Sequence, residues 1–135
     1  IEQLIDAAGG LPEDTGKIVS GGPMMGKALT STNIPTVKGT SGVLIFTQKE
    51  SNRGPSQDCI RCSKCVSVCP MGLEPYLLAA LAEHKDFERM EKECIMDCIE
   101  CGSCQYTCPA YRPLLDYCRL GKAQVGGIIR GRQAK

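Results

Sequence analysis

Eight of the ten cysteines lie in two runs with the same spacing, C-x2-C-x2-C-x3-C-P. The first run covers residues 58–70, the second covers residues 97–109, and both begin Asp-Cys-Ile. This spacing is typical of loops that bind 4Fe–4S clusters through cysteine thiolates. The chemistry that it predicts is one-electron transfer.

The spacing also predicts which cysteines share a cluster. A short loop can present three thiolates to three iron corners of a cube, whereas the fourth cysteine begins the next element and turns away from its own loop. The fourth cysteine of each run is therefore expected to bind the cluster of the other run. The predicted ligands are Cys59, Cys62, Cys65 and Cys108 for cluster 1, and Cys98, Cys101, Cys104 and Cys69 for cluster 2.

A zinc-stabilised interaction module is one alternative, because C-x2-C pairs also bind structural zinc. Zinc needs only two such pairs, so it would leave the third cysteine and the Cys-Pro ending of each run unexplained. Disulfides are disfavoured because all ten cysteines lie between Cys59 and Cys118, whereas disulfides usually staple the whole of a small domain. With no export signal in the sequence, we expect a reducing compartment and metal ligation.

Two cysteines lie outside the predicted ligand set. Cys94 precedes Cys98 by one helical turn and is expected to be a buried helix thiol. Cys118 has no partner at ligand spacing and is also expected to be structural, with a spare-ligand role as the weaker alternative for both. Cys94, Cys98 and Cys101 match the C-x3-C-x2-C pattern of radical-SAM enzymes. The chain is too short for the large α/β barrel on which that chemistry normally takes place.

Other function classes find little support in the composition. The 16 basic and 15 acidic residues nearly cancel, which gives no sign of a nucleic-acid surface. No run of 18 apolar residues is present to span a membrane. Gly21–Lys27 begins like a phosphate-binding loop, but Ala28 replaces the hydroxyl residue that would bind Mg²⁺, so we expect a turn between strands here. His84 is the only histidine and lies beside Lys85 and Asp86, so we expect it to be solvated, and the sequence gives no support for a Ser-His-Asp site.

The elements around the runs predict an α+β chain. Residues 1–50 contain the end of an amphipathic helix followed by short strands near residues 17–20, 25–29 and 42–48. Residues 51–57 are expected to be a linker, and residues 58–118 an all-α domain around the clusters. Residues 119–135 are expected to be a flexible basic tail, containing Lys122, Arg130, Arg132 and Lys135.

The chain resembles the C-terminal part of the RnfC family, the C subunits of the Rnf electron-transport complex. The resemblance rests on the segment Ile18–Gly26, which reads Ile-Val-Ser-Gly-Gly-Pro-Met-Met-Gly, on the turn Lys38–Val43, and on both cysteine runs. It implies that residues 1–50 are part of a β-grasp domain of the soluble-ligand-binding type. It also implies that FMN and NAD(H) bind upstream of this segment, which would itself be an electron relay.

The resemblance further implies partners and a location. The partners would be other subunits of a membrane complex that couples electron transfer between ferredoxin and NAD⁺ to ion movement, with soluble ferredoxin as a further partner. The segment would lie peripherally on the cytoplasmic side of the bacterial inner membrane. A cobalamin-reductase-type flavoprotein, with a similar arrangement, is the alternative parent protein.

Overall fold

A three-stranded antiparallel sheet organises the first half of the chain in the computed structural model, which describes residues 1–134. The strands β1 (Thr15–Ser20), β2 (Lys27–Ala28) and β3 (Val43–Thr47) lie in the spatial order β2-β1-β3. Helix α1 (Glu2–Ala7) precedes them in the chain, and α2 (Gln48–Ser51) follows β3 directly. The helix and the strands occur where the sequence predicts them, although β2 is only two residues long.

The central strand β1 pairs antiparallel with both neighbours, with Ile18 opposite Ile45 and Val19 opposite Ala28. Between β1 and β2 the chain turns tightly, and the Gly26 N–H donates to the Gly22 carbonyl at 2.7 Å. The Gly-Gly-Pro-Met-Met-Gly segment is therefore a turn between strands, as the sequence predicts.

The chain divides into two compact units, Ile1–Gly54 and Pro55–Lys135, and this division falls inside the linker expected at residues 51–57. The described part of the second unit consists of helices and turns without a strand. A 3₁₀ turn at Ile95–Asp97 separates its central helices from the second cysteine run. The helices are α3 (Lys64–Ser67), α4 (Pro75–Glu83), α5 (Phe87–Lys92), α6 (Ser103–Tyr106) and α7 (Leu114–Gln133).

The two helices between the cysteine runs begin where local chemistry favours a helix start. Pro75 occupies the first turn of α4, where its missing N–H costs nothing. The Asp86 carboxylate caps α5 by accepting a hydrogen bond from the Arg89 N–H at 3.2 Å. Their buried side chains, which include Leu78 and Met90, join the apolar core of the second unit.

Helix α7 corrects the expected flexible tail. The sequence predicts a loose segment over residues 119–135, but α7 continues through Gln133, and only Lys135 lies outside the described residues. The buried residues of α7 recur every three or four positions, at Leu114, Cys118, Gly121 and Val125. This stripe is inconspicuous in the sequence because glycines interrupt it and basic residues surround it. Among residues 1–134, no helix is both long and apolar enough to cross a membrane.

Cys94 also differs from the expectation of a buried helix thiol. Helix α5 ends before it, and Cys94 adopts a left-handed conformation with φ of 57° at the start of the 3₁₀ turn. Its side chain is exposed. The apolar periodicity from Phe87 onward continues through the change of chain direction, so the residue spacing alone did not show where the helix stops.

The packing of α7 against α5 depends on the absence of a side chain at Gly121. A Cβ added there would clash with Met90 Cε and would lie 2.7 Å from Met90 Sδ, and Met90 is fully buried. We expect Gly121→Ala to lower the free energy of unfolding by about 1–3 kcal/mol through overpacking. The gain of about 1 kcal/mol that alanine brings to a helix offsets part of this cost, so the net loss is about 0–2 kcal/mol. Urea unfolding followed by circular dichroism measures the difference.

Gly127→Ala is the matched control, because Gly127 lies on the same helix, is exposed, and has nothing within 4 Å of an added Cβ. This variant should be more stable than the original chain by up to about 1 kcal/mol. Equal stability of the two variants would contradict the tight contact between α5 and α7.

Candidate iron–sulfur centres

A cavity in the second unit has a volume of about 530 Å³. Aromatic and aliphatic side chains, among them Tyr76 and Leu114, form part of its wall. The same wall contains the first three cysteines of the first run and the last cysteine of the second run. These are Cys59, Cys62, Cys65 and Cys108, the set predicted for cluster 1.

The second cavity is much smaller, about 20 Å³, so its wall would have to open to admit a cluster. Its wall contains the first three cysteines of the second run and the last cysteine of the first run. Each cavity therefore draws on both runs, in the combination that the spacing predicts. The cysteines of the second wall are Cys98, Cys101, Cys104, Cys69 and, in addition, Cys118.

The two cysteine loops share an unusual backbone conformation. Arg61 and Ser63 in the first run have positive φ values of 53° and 57°, and Glu100 and Gly102 at the same positions of the second run have 56° and 80°. Left-handed residues other than glycine cost about 1–2 kcal/mol each, so surrounding interactions must hold them. Alternating left-handed and ordinary residues form concave arrays of N–H groups that bind anions.

Backbone N–H groups point at several of the cysteine sulfurs. Cys65 accepts hydrogen bonds from the N–H groups of Tyr76 and Val66. Cys98 accepts one from Glu100, and Cys104 accepts one from Gln105. Such bonds stabilise negative charge on thiolates and on cluster sulfurs.

Burial sets the protonation of these thiols when no metal is bound. It raises the pKa of Cys65, and it raises the pKa of Cys104 to about 11. A thiolate at these positions therefore needs a nearby positive charge. A coordinated metal ion supplies that charge, and the thiol then loses its proton. Cys98 differs, because a hydrogen bond from the Cys118 thiol lowers its pKa to about 6.

Helix α7 holds the second cysteine loop through two basic side chains. Lys122 Nζ donates to the Cys98 carbonyl oxygen at 2.5 Å. Glu100 pairs with Arg119 at 3.1 Å and with Lys122 at 3.6 Å. The sequence placed both residues in a loose tail and gave them no contact with the second loop, although they follow Cys118 by one and four positions, within about one helical turn.

The first loop is more open to solvent than the second. Cys59 and Cys62 are exposed, whereas all four predicted ligands in the second cavity are partly buried. His84 is exposed, and Cys94 lines neither cavity. Within residues 1–134, no three His, Cys, Asp or Glu side chains converge closely enough to hold a single metal ion. The donor set of thiols and N–H groups fits an iron–sulfur cluster, whose ligands surround a larger volume.

Comparison with known proteins agrees with this chemistry. Residues 58–111 match the family described as a 4Fe-4S dicluster domain. The chain is 43% identical over 124 residues to the C subunit of the Na(+)-translocating ferredoxin:NAD(+) oxidoreductase complex of Acetobacterium woodii, covering 92% of this chain and 28% of that protein. It is 42% identical over 125 residues to the C subunit of the ion-translocating oxidoreductase complex of Methanosarcina acetivorans, with 93% and 28% covered.

The chain is homologous to part of the C subunit of these ion-translocating oxidoreductase complexes. The corresponding subunit of the proton-translocating complex of Clostridium ljungdahlii is 45% identical over 92 residues, which is 68% of this chain and 20% of that protein. The chain thus spans less than a third of the length of the RnfC relatives that it matches. The resemblance to RnfC predicted from the sequence is confirmed. These relatives support neither the cobalamin-reductase-type alternative nor the zinc module.

The left-handed conformation at Ser63 gives a test of the geometry of the first cysteine loop. Ser63→Gly should retain iron as well as the original chain, because glycine adopts a positive φ freely and already occupies the equivalent position, Gly102. Ser63→Val should lose iron sooner, since a β-branched residue is strained there by about 1–3 kcal/mol. Iron remaining per chain after a fixed anaerobic exposure to a chelator measures the effect. Equal retention by both variants would contradict the requirement for a left-handed residue.

Proposed function

We propose that this segment binds two 4Fe–4S clusters and relays electrons between redox partners, without a catalytic site of its own. The observation that carries the proposal is the crossing of the two runs, because each cavity gathers three cysteines of one run and the fourth of the other. When bound, each cluster supplies a site that accepts and releases one electron. Ligands that cross between clusters keep the clusters close together, which favours fast electron exchange between them.

The chain's own residues hold and tune the sites. Cys59, Cys62, Cys65 and Cys108 would hold cluster 1, and Cys98, Cys101, Cys104 and Cys69 would hold cluster 2. The N–H groups that point at Cys65, Cys98 and Cys104 reduce the cost of the extra negative charge that reduction brings. The apolar wall shields the buried Cys65 sulfur from water, and the contacts from α7 fix the second loop.

The first unit is proposed to be part of a β-grasp domain of the soluble-ligand-binding type. The support is its small antiparallel sheet, together with the turn Gly22–Gly26, which belongs to the segment that resembles RnfC. All ten cysteines lie in the second unit, so the first unit supplies none of the proposed cluster ligands.

The wider assembly is proposed from the relatives. The partners would be other subunits of a membrane-associated, ion-translocating ferredoxin:NAD⁺ oxidoreductase, with soluble ferredoxin as a further electron partner. FMN and NAD(H) would bind a part of the parent protein upstream of this segment, which matches less than a third of its relatives. The segment would lie peripherally, on the cytoplasmic side of the bacterial inner membrane.

Metal analysis tests the cofactor content directly. After anaerobic reconstitution we expect about eight iron and about eight acid-labile sulfide per chain, because each 4Fe–4S cluster brings four of each. The reduced sample should give an electron paramagnetic resonance spectrum of two interacting S = 1/2 centres. Bound zinc without sulfide, in a colourless protein, would contradict the electron-transfer function and leave an interaction module.

Paired cysteine variants test the crossed ligands. Cys69→Ala should disrupt cluster 2, so combining it with Cys101→Ala should remove no more iron than either change alone, leaving about four iron per chain. Combining Cys69→Ala with Cys62→Ala should remove both clusters. The same logic applies to Cys108→Ala, which should add nothing to Cys62→Ala. If Cys69 belonged to the cluster of its own run, the two Cys69 combinations would exchange their iron contents.

A further inference from the structure

Cys118 is a fifth thiol in the wall of the second cavity, where four cysteines already suffice for a cluster. Its side chain is only 2% exposed, and it belongs to a group of buried apolar core residues against which Cys69 and Cys98 pack. The other cysteine outside the ligand sets, Cys94, is exposed and lines neither cavity. The placement of Cys118 is therefore specific to the second site.

One turn of α7 lies beside Cys98. The Cys118 thiol lines the same cavity as Cys98, and Cys98 packs against the apolar core residues that include Cys118. Four residues later, Lys122 Nζ donates to the Cys98 carbonyl oxygen at 2.5 Å. The first run has a different arrangement, because Cys59, the counterpart of Cys98, is exposed.

We propose that Cys118 is a positioning residue for the second cluster, donating its S–H to the Cys98 thiolate and thereby raising the reduction potential of that cluster. This inference rests on the proposed function, since it takes Cys98 as a cluster ligand. Reduction adds one negative charge to the cluster and its thiolates, so a donor to a ligating sulfur stabilises the reduced form more than the oxidised form.

A structural role alone would give a different pattern. A buried side chain that only fills space would affect stability and iron retention, without a preference between the oxidised and reduced cluster. A donor to a ligating sulfur shifts the equilibrium between those two forms. The reduction potential of the second cluster therefore separates the two roles. Its value should depend on whether the side chain at position 118 carries a hydrogen-bond donor.

The test uses the whole chain loaded anaerobically with clusters, in the variants Cys118→Ala, Cys118→Ser and Cys94→Ala. Iron per chain is measured first, followed by a spectroscopic redox titration that resolves the two one-electron waves. Serine keeps a donor of similar size at position 118, whereas alanine removes it. Cys94→Ala is the matched control, because it removes a non-ligand cysteine that lines neither cavity.

We expect Cys118→Ala to keep about eight iron and to shift one wave to lower potential, leaving the other in place. A shift on the order of threefold to tenfold in the one-electron equilibrium constant corresponds to about 30–60 mV. Cys118→Ser should keep that wave at or above its original potential, and Cys94→Ala should change neither wave. Lys122→Gln should lower the same wave, because Lys122 contacts the same cysteine.

Three outcomes would overturn the inference. Loss of about four iron in Cys118→Ala would make Cys118 a ligand rather than a donor. Unchanged waves in Cys118→Ala would remove its influence on the potential, and equal shifts for alanine and serine would reduce its role to packing. Failure of the original chain to bind any cluster would instead contradict the proposed function, so the two failures are distinguishable.

Discussion

Negative charge on a sulfur is costly to bury, and the architecture of the second unit follows from this constraint. The thiols of Cys65 and Cys104 lie among apolar side chains, which raise their pKa and oppose ionisation. Coordinated iron reverses the preference, because it replaces the proton with a larger positive charge. Such a charge would stabilise the strained left-handed loops and the N–H groups that point at sulfur, so we expect ligation and folding of this unit to be coupled.

Helix α7 shows how a scaffold can treat two similar loops differently. The loops share their conformation, but within residues 1–134 it is the second for which ion pairs and a lysine contact from α7 are seen. The helix approaches closely because Gly121 allows the Met90 side chain to pack against its backbone. Small residues on the buried stripe thus bring the polar side chains of the same helix within reach of Cys98 and Glu100. The environment of each site is set by the neighbouring helix rather than by the loop sequence.

The sequence was most informative where spacing itself determines the chemistry. The two cysteine runs indicated the members of both cavities, and the glycine-rich segment before them indicated the turn between β1 and β2. It was least informative where packing determines the structure. A buried glycine such as Gly121 does not register as an apolar position, so the buried stripe of α7 was not recognised and the segment was predicted to be flexible. Cys94 illustrates a related limit, since an apolar period continues through a left-handed residue that ends the helix. Cys118 had no partner spacing and could be assigned only once the cavity was visible.

The interleaving of the two runs also bears on how such a unit can arise and be divided. Each cavity takes part of its wall from residues 58–70 and part from residues 97–109, so a fragment with one run would contain neither cavity complete. A single ancestral run could have met this requirement by pairing with an identical copy before duplication joined the two in one chain. After that fusion, neither half could be lost or exchanged alone, and the two runs would be inherited as one indivisible module.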